Sequence, residues 1–203
     1  MDATEINASG PVLSEENLKQ LRQKLAVLKK GDILILSGSL PGSVPTDIYK
    51  TLMEEVQGKE IPVIVDAIGD ALLKTLPLHP FLIKPNHQEL SELFCVELNT
   101  REQVVPYAKK LQEQGARNVL VSLGGAGAVL LDQNGMVHES DVPRGELINA
   151  VGAGDSMVAG FLTGIWKSRT WSMPFVWAWQ QEAPVPFRKD WLIGRPWNSS
   201  IGR

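Results

Sequence analysis

Apolar positions in the first two thirds of the chain alternate between helical spacing and short continuous runs. A helix is predicted to begin after Ser14 and stop by Gly31, because leucines recur at steps of three and four residues, at Leu18, Leu21, Leu25 and Leu28. The apolar run at 33–36 has the length of a strand and no alternation. Such a run is typical of a strand that is covered on both faces.

The same alternation continues to residue 131. Further strands are predicted at 62–66, 81–84, 118–123 and 128–131, and helices from about 46, at 70–76, from 86 to 94 and at 100–114. The sequence Asp132-Gln-Asn-Gly is a hairpin turn signal. Alternating strands and helices predict an α/β protein with a mostly parallel sheet, and the active sites of such sheets lie at the carboxyl ends of the strands.

Composition excludes several classes of protein. The chain of 203 residues carries 20 basic and 23 acidic side chains, a balance that predicts no nucleic-acid or anionic-membrane partner. No apolar run is long enough for a transmembrane helix, and the first residues lack the apolar segment of a signal peptide. The single cysteine, Cys95, has no disulfide partner in the chain. We therefore expect a soluble protein of a reducing compartment, the cytoplasm.

The segment Asn149-Ala-Val-Gly-Ala-Gly-Asp-Ser-Met carries the strongest chemical signal. Small residues at Gly152, Ala153 and Gly154 allow backbone N–H groups to approach an anion closely. The apolar pattern that follows Asp155 is helical, so these groups open a helix, whose N-terminus attracts anions. Asp155 would lie in the first turn, where a carboxylate can accept a proton from an attacking hydroxyl. On spacing alone, a simple N-cap after a tight turn explains these residues equally well.

Four motifs together resemble one family. VGAGDSMVAGF at 151–161 is similar to the second signature of the PfkB (ribokinase-like) sugar kinases, and three further stretches match that family in the right order. These are LSGSLPG at 36–42, IKPNHQEL at 83–90 with its N-x-x-E, and VSLGGAGA at 121–128. The resemblance implies a ribokinase-like three-layer α/β/α fold and ATP- and Mg²⁺-dependent phosphorylation of a small-molecule sugar phosphate. It is also compatible with a homodimer in full-length relatives.

The resemblance also implies a role for each matching residue. Asp155 would be the general base, and the anion hole would be formed by Gly152, Ala153 and Gly154. ATP would be bound by Lys84, Asn86, Ser122, Gly124, Gly125 and Gly127. Glu89 would face the phosphates and Mg²⁺ through water, and the sugar side of the cleft would be lined by Ser37, Gly38 and Ser39. For Lys84, a position at the end of a strand pointing to solvent is an equal alternative.

The sequence departs from the family at both ends. Family members have a first third with the opening strands, a sugar-binding acidic residue and a lid, which we expect to be absent here. We therefore interpret residues 1–169 as a partial kinase domain. Residues 170–203 hold five of the six tryptophans and lack the family's next helix. Read from the third base of the Val176 codon, the back-translated sequence accommodates LGVATGSASAF, so we hypothesise a frameshift near 169–170 and a poorly ordered tail.

The sequence leaves three functional hypotheses open: an active sugar-phosphate kinase, an inactive fragment that retains weak nucleotide binding, and a Trp-rich interaction module on an α/β base.

The remaining polar residues are weaker candidates for a functional site. We expect the three histidines to be exposed to solvent and Cys95 to be buried. Asp66 ends a predicted strand at the active edge, and a turn or capping role is at least an equal alternative for it. The histidines are His79, His87 and His138.

Overall fold

The computed structural model describes residues 10–141 and 152–168. The chain divides into two units, Met1–Val142 and Pro143–Arg203, and each is described by itself. The helices are α1 (Glu15–Leu25), α2 (Ile48–Glu55), α3 (Gly69–Leu73), α4 (His87–Phe94), α5 (Arg101–Glu113) and, in the second unit, α6 (Ala153–Ser168). The strands are β1 (Leu34–Ser37), β2 (Val63–Asp66), β3 (Leu82–Ile83), β4 (Val119–Ser122), β5 (Ala128–Leu131) and β6 (Val137–Ser140).

Three helices begin with the same local device. Ser14, Asn86 and Thr100 each accept a hydrogen bond from the backbone N–H three residues later, and the side chain at that later position bonds back to the cap. This reciprocal capping box satisfies two N–H groups that an open helix end would leave without partners. The predicted start at Ser14 is confirmed, but α1 ends at Leu25, so Leu28 lies beyond the helix.

The six strands lie side by side in chain order. Strands β1 to β4 are parallel, whereas β5 and β6 continue the sheet as an antiparallel hairpin. The predicted turn at 132–135 makes that hairpin, with the N–H of Asp132 donating to the carbonyl of Met136. The mostly parallel sheet is thus confirmed. Because parallel crossovers are right-handed, the helices that connect successive strands from β1 to β4 lie on one face.

The core of the first unit lies between this sheet and its helices. Val65, Ile83, Val119, Val121 and Val129 are buried and belong to the hydrophobic cluster formed with the helices. The alternate positions of the central strands are buried as well: Ile64, Leu82, Leu120 and Leu130. Central strands are therefore apolar on both sides, as expected for parallel strands.

The prediction that strand β1 is buried on both faces is wrong. Ile35 is 47% exposed, while its neighbour Leu36 is buried. Within the described residues, β1 has one neighbouring strand, β2. A continuous apolar run indicates a strand of a parallel sheet, but it does not show whether the strand lies at the centre or at the edge.

Several predictions fall outside the described residues. These are the domain division at 169–170, the poorly ordered tail at 170–203 and the frameshift near its start. Within residues 10–141 and 152–168, no helix is long and apolar enough to cross a membrane.

Candidate active site

Polar residues end all four parallel strands at the same edge of the sheet. Ser37 at the end of β1 pairs with Asp66 at the end of β2. Lys84 directly follows β3, and its N–H donates to the carbonyl of Val65. Ser122 ends β4, and its N–H donates to the carbonyl of Pro85. The carboxyl edge, where α/β proteins bind their ligands, therefore carries the row Ser37, Asp66, Lys84 and Ser122.

An ion pair between two of these strand ends forms the centre of the row. The Nζ atom of Lys84 lies 3.2 Å from Oδ1 of Asp66, and the two side chains are only 8% and 19% exposed. This arrangement rejects the solvent-facing alternative for Lys84. The pair also brings Asp66 to the active edge of the sheet, and Asp66 does not cap α3, whose N-cap is Ile68.

Tyr49 of α2 supports the first strand end. Its hydroxyl lies 2.9 Å from the carbonyl oxygen of Ser37 and 3.0 Å from that of Gly38, and its ring is buried. Burial, followed by the negative charge of Asp66, raises the pKa of the Tyr49 phenol, so this group stays a donor. The predicted sugar-side residues Ser37, Gly38 and Ser39 are exposed on this fixed loop. The sequence pattern gave no signal for Tyr49, which lies in an ordinary amphipathic helix.

The N-x-x-E motif forms the capping box of α4. The N–H of Asn86 donates to Oε2 of Glu89 at 2.8 Å, and the N–H of Glu89 donates to Oδ1 of Asn86 at 2.8 Å. An isolated bridge between Asn86 and Ser122 joins this helix start to the end of β4. The motif therefore has a structural role of its own, and it brings both predicted residues to the row.

The surroundings of Glu89 disfavour the charged form of its carboxyl group. Burial raises the pKa of its carboxyl, an effect opposed by the Asn86 N–H and by Lys84 and reinforced by the charges of Asp66 and Glu92. A divalent cation beside Asp66 and Glu89 would relieve this repulsion. Mg²⁺ usually takes one or two protein carboxylates together with substrate phosphates and water, so these residues fit it. The described residues contain no group of three or more His, Cys, Asp or Glu side chains that could hold a metal alone.

The predicted ATP loop is a tight turn between β4 and β5. Gly124–Ala126 form one turn of 3-10 helix, and the N–H of Leu123 donates to the carbonyl of Gly127 at 2.7 Å. Gly124 and Gly127 have φ values of +53° and +93°, which favour glycine. Gly124 and Gly125 are exposed, and their N–H groups donate no hydrogen bond within the described residues. They therefore remain available to an anion.

The second unit contains the start of the helix that was predicted after the glycine-rich turn. Gly152 has a φ of +81°, and its carbonyl accepts the first helical hydrogen bond, from the N–H of Ser156. Helix α6 begins at Ala153, so Gly154 and Asp155 lie in its first turn, and Asp155 is exposed. The local shape matches the prediction, while the roles of these residues as anion hole and base stay predictions.

Three of the weaker expectations are wrong. His138 is not a solvated side chain, because its Nε2 lies 3.0 Å from Oδ2 of the buried Asp132. His87 has a buried Nδ1 atom with no hydrogen-bond partner among the described residues. Cys95 is exposed rather than buried, because the chain turns there into the left-handed region, at a φ of +53°, to end α4. His79 is exposed as expected, with its ring nitrogen 3.1 Å from the carbonyl of Gly115.

A buried lysine, two carboxylates and a glycine turn at the carboxyl edge of an α/β sheet form an arrangement that can bind phosphate groups. The model of the pfkB family of carbohydrate kinases matches residues 2–173, and the chain belongs to this family. It is 48% identical over 166 residues to the 1-phosphofructokinase of Bacillus subtilis, covering 82% of this chain and 54% of that protein. It is 36% identical over 154 residues to the D-tagatose-1-phosphate kinase of Bacillus licheniformis, covering 75% of this chain and 50% of that protein.

A solved structure agrees with this family assignment. The crystal structure of phosphofructokinase-2 from Escherichia coli in complex with fructose-6-phosphate superposes with a TM-score of 0.68 at 34% identity, covering 76% of this chain and 50% of that one. The ribokinase-like fold class is therefore confirmed. The chain spans about half the length of the curated relatives it matches.

Proposed function

We propose that this chain carries the nucleotide- and phosphate-binding part of an ATP-dependent sugar-phosphate kinase of the 1-phosphofructokinase type. The reaction converts fructose 1-phosphate and ATP to fructose 1,6-bisphosphate and ADP. The observation that carries the proposal is the buried Lys84 ammonium at the carboxyl edge of the sheet, held by Asp66 between the N-x-x-E motif and the end of β1. The similarity to a 1-phosphofructokinase selects the substrate class.

The sheet edge supplies groups that can bind polyphosphate. An ammonium has three N–H donors, and the contact with Asp66 uses one, so Lys84 keeps donors for phosphate oxygens. The N–H groups of Gly124 and Gly125 offer two more donors from a rigid turn. Donors that are fixed before the ligand arrives stabilise developing charge without a cost of reorganisation.

Magnesium has a place in this proposal beside Asp66 and Glu89. When bound, Mg²⁺ supplies positive charge that offsets the charge of the phosphate oxygens. The Asp66 carboxylate contacts Lys84, and burial raises the pKa of Glu89, so a further cation would favour the charged form of Glu89. These two residues would hold the ion through water and the phosphates of the nucleotide.

Asp155 is the proposed general base. Its carboxylate accepts the proton of the 6-hydroxyl of fructose 1-phosphate while that oxygen forms a bond to the γ-phosphorus, and the bond from the γ-phosphorus to the β–γ bridging oxygen breaks. The first-turn N–H groups of α6 and the helix dipole stabilise the transferring phosphoryl group. The exposed position of Asp155 in the first turn supports this role, because the carboxylate is accessible to a substrate.

Two other candidate functions are considered. The match to a D-tagatose-1-phosphate kinase makes tagatose phosphates alternative acceptors. The other candidate is an inactive fragment that binds nucleotide without turnover. With either substrate we place the protein in the cytoplasm, where sugar phosphates and ATP are available, and we propose a homodimer for the full-length kinase.

Measurement of ADP release with fructose 1-phosphate, tagatose phosphates and fructose 6-phosphate tests the proposal. We expect fructose 1-phosphate to be preferred, and Asp155→Asn to lower kcat by about 10²–10⁴-fold. The control Asp70→Asn removes an exposed carboxylate of α3 and should leave kcat unchanged. ATP binding without turnover on any acceptor would select the inactive fragment. Unchanged turnover in Asp155→Asn would reject Asp155 as the base.

A further inference from the structure

Arg101 is the one side chain that joins α5, the glycine turn at 123–127 and the end of β6 within the described residues. Its Nε donates to the carbonyl oxygen of Ala126 at 2.7 Å, inside that turn. A terminal guanidinium nitrogen lies 2.5 Å from Oδ1 of Asp141, and the other lies 3.7 Å from Oε2 of Glu139. The guanidinium makes these contacts from three separate nitrogens in one rigid plane, a geometry that the single nitrogen of an ammonium does not offer.

The contact with Arg101 lies at the point where the turn is tightest. A Cβ atom on Gly127 would lie 2.1 Å from the carbonyl oxygen of Ser140 and 2.6 Å from a terminal nitrogen of Arg101. Gly127 is therefore enclosed between β6 and the guanidinium. The carbonyl of Ala126 is fixed by Arg101, and the N–H groups of Ala126 and Gly127 are used inside the turn.

Among the described residues, the N–H groups of Gly124 and Gly125 are the ones in the turn that donate no hydrogen bond. The directions of these N–H groups depend on the peptide planes of the turn. Arg101 fixes the carbonyl of Ala126, the residue that follows Gly125. Within the described residues, no other side chain donates a hydrogen bond to the carbonyls of 124–127. We propose that Arg101 is a positioning residue that orients the amides of Gly124 and Gly125 toward the phosphates of the nucleotide.

This proposal rests on the proposed function, since it assumes that the turn binds nucleotide. Arg101 itself touches no substrate in it, because its guanidinium is occupied by Ala126, Asp141 and Glu139. It acts through the backbone of the turn. Its loss should therefore weaken nucleotide binding more than it weakens the fold.

The test compares Arg101→Gln with the control Arg117→Gln. In the part of the chain that the structure describes, the Arg117 side chain contacts Gln133 and the Phe81 ring and forms no hydrogen bond with the turn. For Arg101→Gln we expect a Kd for Mg–ATP, measured by calorimetry, about tenfold higher, which corresponds to one charge-assisted hydrogen bond. The midpoint of urea unfolding should match that of the control. Arg101→Lys should recover only part of the affinity, because one ammonium cannot replace the fork.

Hydrogen exchange gives a second readout that needs no nucleotide. We expect Arg101→Gln to lose protection at the amides of Ala126 and Gly127 while the amides of β4 keep theirs. A wild-type chain that fails to bind Mg–ATP would reject the proposed function, and exchange would still decide whether Arg101 fixes the turn. Unchanged protection in the variant, or a Kd within about twofold of wild type when wild type binds, would overturn the positioning role.

Discussion

Lys84 and Asp66 form a buried ion pair, 3.2 Å between Nζ and Oδ1, that joins the ends of two adjacent parallel strands. The pair accounts for a lysine that is 7% exposed at the edge of a sheet. A buried charge is tolerated when it is paired and hydrogen-bonded, and it becomes costly when its partner is removed.

We therefore expect Asp66→Asn to destabilise the fold by about 3 kcal/mol, since the Lys84 ammonium would stay buried without a counter-charge. The double variant Asp66→Asn with Lys84→Met should recover part of this loss, because it removes both charges. Urea unfolding of the two single variants and the double variant measures the coupling. Additive effects of the single changes would show that the pair does not interact energetically.

Gly127 and Gly125 offer a matched pair for testing the shape of the glycine turn. Gly127→Ala places a Cβ atom 2.1 Å from the carbonyl oxygen of Ser140 at a φ of +93°. We expect a loss of about 2 kcal/mol or more in the free energy of unfolding. A Cβ atom on Gly125 meets no atom of the described residues within 4 Å, and Gly125 has no positive φ, so the stability of Gly125→Ala should stay close to wild type. Equal stability of the two variants in urea unfolding would contradict the described turn.

The two roles of Glu89 can be separated by substitution. Gln can replace Glu at this position of a capping box, so Glu89→Gln should keep the start of α4. Since burial raises the pKa of Glu89, the folded chain loses stability as the pH rises through that pKa, and removing the charge should leave stability at pH 7 equal or higher. Glu89→Ala removes one half of the capping box and should lower the free energy of unfolding by about 1 kcal/mol.

Calorimetric titration with Mg–ATP completes the Glu89 test. If the carboxylate holds the cation, Glu89→Gln should weaken binding of Mg–ATP by about tenfold, the effect of one lost charge-assisted contact. Binding of ATP without magnesium should change far less, which provides the internal control. Unaltered Mg–ATP affinity in a stable Glu89→Gln variant would reduce the N-x-x-E motif to its structural role.

The Asp132–His138 contact makes the stability of the fold depend on pH in the acidic range. Burial alone would raise the pKa of Asp132, but hydrogen bonds from His138 and from the N–H groups of Met136 and Asn134 hold that pKa below its ordinary value. The folded state therefore binds this proton less tightly than the unfolded chain. The resulting stabilisation is present above about pH 4 and is lost as the pH falls below it.

Urea unfolding between pH 3 and pH 7 tests whether the stability falls on acidification as described. We expect wild type to lose stability on acidification more steeply than Asp132→Asn. The Asn side chain can still accept from the two backbone N–H groups of the turn, so the variant should fold. Parallel pH profiles for the two proteins would show that Asp132 does not contribute to the acid dependence.

Features encoded within a few residues could be predicted from the sequence. The capping position of Ser14, the hairpin after Leu131 and the opening of α6 at Ala153 depend on neighbours along the chain. The contact of His138 with Asp132 lies within the predicted hairpin, but the sequence does not show which side of the strand is covered, so it does not predict this contact.

Features that join distant residues could not be predicted. Lys84 meets Asp66 only because β2 and β3 are neighbours in register, and Arg101 reaches Ala126 only because α5 packs against β4 and β5. The family resemblance implies that Lys84, Asn86 and Ser122 are site residues, and the structure brings all three to one edge of the sheet. It did not identify the supporting residues, Tyr49, Asp66 and Arg101, because they lie outside the matched motifs.

Mg–ATP binding by wild type and by Lys84→Met, measured by calorimetry, tests the central claim most directly. Both proteins are compared at a temperature where circular dichroism shows them folded, with Lys50→Met, which removes an exposed lysine of α2, as the control. We predict saturable binding to wild type and to Lys50→Met, and a loss of at least about tenfold in Lys84→Met, which removes a charged phosphate contact. Equal affinity of all three proteins would contradict a phosphate site at the sheet edge.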